Sequence, residues 1–360
     1  MKKILYIGKY NGIIGGIERY MQNSAELLRR NGFAVHYLYT EEGGREQELF
    51  SSAFNSTAKF SPDNGLLKTA DIVVIHNIIS VESLKRMPVG KTFFFAHDHN
   101  IYCRRHHYYT PVGRMNCSRK YNKFICKICS LGRNTAPPLE EYRKFPALVL
   151  SDFMAENLRK NGFETVVKIP AFIKTVKKEH VFMPDGMLRI LFLGQLIRGK
   201  GADIMLKTLT KLDIPFECTI AGDGKDRIML ENMVEKFKLC DKVHFAGFVG
   251  NTETLWENCD VFFFPIRWQE PFGLVGLEAM AHGVPVAAFD LGGVREYLST
   301  ECGCLIPEKN LAFAAEKLSA FYFQDGLLAK LGKNGMYLAE HKFSEENFIE
   351  NFKKLETVLK

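Results

Sequence analysis

Apolar runs of strand length alternate with stretches of helical period along the chain. Ile4-Leu5-Tyr6-Ile7 is followed by Ile17, Tyr20, Met21, Leu27 and Leu28 at helical spacing, and then by Val35-His36-Tyr37-Leu38-Tyr39. That order predicts a βαβ unit. Further strands are predicted at Asp71–Ile75, Thr92–Phe95 and Ala147–Leu150, nearly continuous in apolar character, as strands covered on both faces should be. A second series covers Leu188–Leu193, Phe216–Ala221, Val243–Ala246, Val261–Phe264 and Val284–Phe289, again separated by helix-period stretches. Between the two series, Val176 to Gly186 is polar and carries Pro184, which predicts a linker. From Ser344 onward, Phe348, Ile349, Phe352, Leu355 and Leu359 share one helical face, with Ser344 placed to cap it.

At 360 residues the chain exceeds what one core usually organises, so two domains are expected. The pattern puts them at 1–175 and 185–343, with the closing helix 344–360 packing back on the first. The expected class is α/β, two Rossmann-like doubly wound domains facing across a cleft. Ligands of such sheets bind beyond the carboxyl ends of the strands.

Composition narrows this picture without changing it. With 46% hydrophobic residues and a net charge of +7, the chain is ordinary globular material. No apolar stretch approaches the roughly 20 residues that span a bilayer, and the first apolar run is too short for a signal-peptide core. A cytoplasmic protein is expected, with peripheral membrane contact as a further expectation. The charge is uneven: between Cys103 and Lys144 stand Arg104, Arg105, Arg114, Arg119, Lys120, Lys123, Lys127, Arg133, Arg143 and Lys144 against Glu140 and Glu141. This segment fits an anionic partner, or simply a solvated charged loop.

Three segments carry candidate chemistry. Gly8 to Arg19, with Gly15 and Gly16, is a glycine-rich turn opening onto a helix, where amides can cradle phosphate; Gly15-Gly16 also fits a plain tight turn. Its glycine spacing is not GxGxxG, so a nicotinamide site is disfavoured. Gly194 to Gly201 repeats the form with Arg198 and Lys200, two cations suited to a diphosphate. Finally, Pro265 to Ala281 sets Glu270 in a loop and Glu278 eight residues later, inside a helix begun by Phe272, Gly273 and Leu274. Glu278 among apolar neighbours needs a partner if buried, and a sugar hydroxyl would serve; an exposed helix glutamate is the alternative.

EPFGLVGLEAMA, GGIER, GQLIRGKG and AGDG (Ala221 to Gly224) together resemble the retaining glycosyltransferases of family four, over nearly the whole chain. The resemblance implies the GT-B fold, with the acceptor on the first domain and a nucleotide-sugar donor on the second. It implies that Glu270 touches the donor sugar near the reacting carbon, and that amides around Phe272, Gly273 and Leu274 hold the distal phosphate. Glu278 would hold the ribose, and Lys200 would neutralise the leaving diphosphate. Gly15, Gly16 and Gly222 fall in the family's donor-binding segments, and His97 matches the family histidine that reaches the donor sugar. The family usually has Arg after the strand glycine; here that position is Gln195, with Arg198 as substitute. No catalytic divalent metal is expected.

Cys103, Cys117, Cys126 and Cys129 lie outside the family motifs. Thirteen, eight and two residues separate them, a spacing that can close a tetrahedral site. The expectation is a Cys-rich insertion (about 103–144) held by structural zinc, its basic neighbours favouring thiolates; an iron–sulfur cluster and unliganded thiols are the alternatives.

The sequence therefore predicts a retaining hexosyl- or N-acetylhexosaminyl-transferase of cell-surface polysaccharide or glycolipid synthesis. Its donor would be UDP- or GDP-linked and its acceptor a glycan or polyprenyl-linked alcohol, with no nucleic acid partner. Two alternatives stay open. One is another GT-B enzyme, such as a sugar-nucleotide epimerase; the other is a metal-stapled binding protein without transferase activity.

Overall fold

The computed structural model describes residues 1–110, 115–131, 138–176, 180–182 and 186–359. Arg114 and Arg133 of the basic segment, and linker residues 177–179 and 183–185, lie outside them. The chain divides into two compact units, Met1–Ala171 with Glu345–Lys360, and Phe172–Ser344.

The first unit holds seven strands: β1 (Lys3–Tyr10), β2 (Ala34–Glu41), β3 (Ser56–Lys59), β4 (Ile72–Ile75), β5 (Thr92–Phe95), β6 (Ala147–Val149) and β7 (Val166–Lys168). They form one parallel sheet in the order β3-β2-β1-β4-β5-β6-β7. The second unit holds β8 (Leu188–Leu193), β9 (Phe216–Ala221), β10 (Val243–Gly247), β11 (Val261–Phe264), β12 (Val286–Phe289) and β13 (Gly303–Ile306). They form another parallel sheet, ordered β10-β9-β8-β11-β12-β13. Both sheets reverse strand order beside their first strand, between β1 and β4 and between β8 and β11, which is where such folds bind ligands.

Central strands are buried along their length, as their sequences predict: every residue of β4, β5, β11 and β12 is buried. The periodicity missed β3, β7 and β13. β3 reads Ser-Thr-Ala-Lys and no residue in it is fully buried, because it closes an edge of the sheet. Edge strands carry polar residues that blunt pairing with other chains, and so lose the apolar signature.

The helix Gly16–Arg30 follows β1 and buries Tyr20, Met21, Ala25, Leu27 and Leu28. Arg29 and Arg30 sit in its last turn, where they complement the helix dipole. The chain's end forms a helix at Glu345–Lys353 and a second short one at Leu355–Val358, where the sequence predicted one. Phe348, Ile349, Phe352 and Leu355 are buried. The Phe352 ring lies 6.0 Å from Phe33, and Arg30 pairs with Glu345 at 2.8 Å, so this segment is part of the first unit.

Candidate active site

In the second unit, three loops at the carboxyl ends of β8, β9 and β11 come together. After β8, Arg198–Lys200 forms a single helical turn. The Gly199 carbonyl accepts the Arg267 N–H at 2.9 Å, tying this turn to the loop after β11. The glycines flanking Lys200 are required by that contact. A Cβ on Gly199 would stand 1.9 Å from Trp268; one on Gly201, whose φ is +81°, would stand 1.8 Å from the Pro265 carbonyl.

This close approach brings Lys200 to Glu270. The ammonium and the carboxylate lie 2.9 Å apart and both are largely buried. The Trp268 indole N–H donates to the same carboxylate oxygen at 3.1 Å. The Lys200 ammonium also sits 5.5 Å from the Trp268 ring and 5.7 Å from Phe264, within cation–π range. The Glu270 backbone is fixed as well, its carbonyl accepting the Gly293 N–H at 2.7 Å. One Lys–Glu pair is thus held by the Trp268 indole, the Phe264 ring and a backbone clamp.

Immediately beyond Glu270, Gly273 starts the helix Leu274–Ala281 in the left-handed region (φ +88°), with no side chain capping its N-terminus. Uncapped N–H groups and the dipole make such a terminus attractive to an anion. Gly276 lies in the first turn, and a Cβ there would stand 2.2 Å from the Tyr297 hydroxyl, so the helix start is packed tightly onto that buried ring. Glu278 is half-buried one turn on. Phe272 is buried against Tyr297 and Phe343, with ring centroids at 5.2 and 5.9 Å; its ring belongs to the core and only its backbone faces the loop chemistry. Gly222 has a packing role too: its N–H donates to the Gly247 carbonyl at 2.6 Å, and a Cβ would meet the Gly194 carbonyl at 1.9 Å. Arg198 and Gln195 are exposed.

In the first unit, Gly15 precedes the helix Gly16–Arg30 with an extended backbone. Its N–H donates to the Glu18 carboxylate at 3.0 Å. Glu18 is buried, and burial pushes its carboxyl up, opposed by hydrogen bonds from its own backbone and from those of Gly15 and Ile14. The chain thus places its own carboxylate at this helix start. On the other side, nothing lies within 4 Å of where a Cβ would stand on Gly15 or Gly16.

His97 follows β5 and is stacked on Phe95 at 4.2 Å, with Tyr20 edge-on at 5.3 Å. Its Nε2 lies 2.8 Å from Nδ1 of His76, which follows β4 and is buried. Burial pushes His97 down to about 3 and His76 well below its ordinary value, so both rings are neutral and one N–H serves the other's lone pair. Next to them, burial raises Asp98 to about 6 against two hydrogen bonds from Asn100.

The zinc expectation is not met. Among the described residues no three His, Cys, Asp or Glu side chains stand together as a ligand set, and none of the nine cysteines is in a disulfide. Cys103 and Cys117 pack against the first unit's core beside Tyr102 and Tyr108, so this segment borrows a core instead of needing a metal to make one. The Cys103 sulfur accepts backbone N–H groups of Arg105 and Tyr108, and Cys126 accepts the Asn122 N–H at 3.5 Å. At Cys103 and Cys129 basic neighbours do not win the thiolate state either. Burial raises Cys103 and Cys129, the other thiols add to it, and Arg105 and Arg119 only oppose the shift at Cys129. The same residues do not fit an iron–sulfur cluster.

Residues 174–336 match the family of glycosyl transferases group 1. An uncharacterized glycosyltransferase of Methanocaldococcus jannaschii, MJ1178, is 31% identical over 98% of this chain and 97% of its own length. The chain belongs to the glycosyl transferases group 1 family. Other relatives match over part of their length only. The lipopolysaccharide core biosynthesis mannosyltransferase LpsB of Rhizobium meliloti is 29% identical over 52% of this chain and 56% of its own. Among solved structures, Anabaena Alr3699/HepE in complex with UDP and glucose superposes with a TM-score of 0.75 at 16% identity, covering 99% of this chain and all of that one. S. aureus TarM, bound to UDP in one crystal, gives 0.77 at 14% identity over 99% of both chains. These likenesses place the chain in the GT-B fold.

For this group 1 family member, the sequence reading missed two side chains. Trp268, one of only two tryptophans, stands two residues before Glu270 and could have been noticed. Tyr297 reaches its place beneath the helix start through a tertiary contact that no local spacing announces.

Proposed function

We propose that this protein is a retaining hexosyl- or N-acetylhexosaminyl-transferase working in the cytoplasm. It takes a UDP- or GDP-linked sugar and a glycan or polyprenyl-linked acceptor hydroxyl, in cell-surface polysaccharide or glycolipid synthesis. The observation that carries this reading is the Lys200–Glu270 pair at 2.9 Å, directly before an uncapped helix N-terminus. A cation, a carboxylate and free N–H groups in one place match the three parts of a nucleotide sugar: diphosphate, sugar hydroxyls and distal phosphate. LpsB, a lipopolysaccharide core mannosyltransferase by name, and the UDP bound by HepE support the substrate class.

In this mechanism the donor divides the pair. Lys200 turns to the diphosphate, whose charge grows as the sugar–oxygen bond breaks, and Glu270 accepts hydrogen bonds from sugar hydroxyls. The acceptor oxygen bonds to the anomeric carbon on the face the diphosphate leaves, and its proton passes to a diphosphate oxygen. Glu278 binds the ribose, the Gly273–Leu274 amides bind the distal phosphate, and Arg198 adds charge from the surface. In the first unit, neutral His97 acts as a hydrogen-bonding partner of the donor sugar. The open space over Gly15 and Gly16 leaves the donor room to approach, with Glu18 already holding the Gly15 N–H.

A thermal-shift screen against UDP, GDP, ADP, CMP and their sugars tests the donor class, since a ligand at 100 times its dissociation constant adds about 2.7 kcal/mol. One nucleotide family should stabilise the protein, and product should require acceptor as well as donor. Product from donor alone would indicate an epimerase instead.

A further inference from the structure

The basic segment carries a surface that the transferase reading does not use. The helix Lys123–Cys129 is started by Asn122, whose side-chain oxygen accepts the N–H groups of Phe124 and Ile125 at 3.1 and 3.0 Å. None of its residues is buried. Phe124 is 72% exposed, Ile128 60%, Ile125 43%, and Leu131, in the turn that ends the helix, 69%. Phe124 and Ile128 are four apart and stand one above the other, with Ile125 beside them. Cys126 and Cys129, on the same helix, are half-buried. The apolar residues of this helix therefore face outward, the reverse of a helix built to hold its own domain together.

Charge decides what would cover this face. From His99 to Leu139 the chain holds Arg104, Arg105, Arg114, Arg119, Lys120, Lys123, Lys127 and Arg133, and no Asp or Glu. Arg119, Lys120, Lys123 and Lys127 are exposed, and among the described residues none of the four takes part in an ion pair. The acids that follow, Glu140 and Glu141, pair with Arg143 and Lys144. An apolar face in a segment whose only charged residues are cations complements a surface whose outer layer is anionic and whose next layer is hydrocarbon. Among the described residues no helix is long and apolar enough to cross a membrane, so the contact is peripheral.

We propose that the helix Lys123–Cys129 and the turn at Leu131 dock this protein on an anionic lipid bilayer. Phe124, Ile128 and Leu131 enter the headgroup boundary, while Arg119, Lys120, Lys123 and Lys127 lie against lipid phosphates. Apolar insertion and a basic patch are the two signals that together give stable, reversible binding.

The test is co-sedimentation of the full chain with phosphatidylcholine vesicles made with and without phosphatidylglycerol. Wild type should bind the anionic vesicles, and added salt should weaken binding. Phe124→Ser/Ile128→Ser and Lys123→Glu/Lys127→Glu should each reduce it at least about tenfold. These side chains are exposed, so both variants should keep the wild-type melting midpoint and nucleotide-induced thermal shift. That retention separates failure here from failure of the transferase reading. The proposal is overturned if wild type does not bind anionic vesicles, or if the variants bind as well as wild type. It is also overturned if the apolar face proves to join two copies, seen as a dimer that Phe124→Ser/Ile128→Ser dissociates without any vesicle binding.

Discussion

Two helix starts in this molecule look alike in sequence and differ in electrostatics. Both follow a parallel strand, both are introduced by glycine, and both read as phosphate cradles. At Gly15 the chain supplies its own anion, the buried Glu18 carboxylate, which takes the Gly15 N–H. At Gly273 no side chain caps the helix, and the nearby charges are a lysine and a glutamate holding each other. A glycine-led N-terminus is an open anion site only where the chain has not already filled it.

The glycines differ for the same reason. Gly273 needs its left-handed backbone and sits 3.0 Å, at a would-be Cβ, from the Tyr297 hydroxyl. Gly15 has an extended backbone with open space beside it, so the protein's own packing does not demand glycine there.

The largest effect should come from the pair itself. Glu270→Gln and Lys200→Ala should each lower kcat by roughly two to three orders of magnitude while the fold survives, checked by steady-state transfer assays beside circular dichroism. Near-normal turnover in either would remove that residue from the chemistry.

The two glycines should then separate stability from ligand approach. Gly273→Ala should cost about 1–2 kcal/mol, read as a melting midpoint lower by a few degrees. Gly15→Ala should shift stability by less than about 0.5 kcal/mol yet weaken donor binding. Equal losses of stability at the two positions would erase the distinction.

Removing the built-in anion should sharpen the contrast. Glu18→Gln leaves the helix start uncharged, so inorganic phosphate should stabilise this variant more than it stabilises wild type in a thermal-shift titration. Identical responses would mean that Glu18 does not govern anion binding there.

The smallest effect concerns acid stability. Burial lowers His97 to about 3, below its unfolded value of roughly 6.5. Its contribution to stability is complete above the unfolded value and is lost progressively as pH falls from there toward about 3. His97→Gln should therefore show a shallower drop in melting midpoint than wild type between about pH 7 and about pH 5. Asp98 works the other way, its contribution being lost as pH rises through about 6, and the substitution leaves it in place. An unchanged slope would mean that His97 is not buried as described.

The architecture was legible because buried parallel strands declare themselves, as Val261–Phe264 does with four apolar residues in a row. β3 did not, since an edge strand of Ser, Thr, Ala and Lys has one face and one edge in solvent. Glu270, Lys200 and the glycines around them were visible as spacing. The contact between Lys200 and Glu270 was not, because it spans 70 residues and depends on Gly199 fitting under Trp268. The cysteines misled for a related reason. Spacing shows where thiols lie along a chain but not which way the backbone turns them, and Cys103 and Cys117 turn toward the core.

The central claim is that the diphosphate of a nucleotide sugar binds between Lys200 and the helix start at Gly273. Calorimetric titration of UDP and GDP into wild type and Lys200→Ala tests it most directly. One nucleotide should bind wild type and lose at least about tenfold in affinity in the variant, as a charge-assisted contact to phosphate requires. Equal affinity in both proteins, or no binding of either nucleotide to wild type, would contradict it.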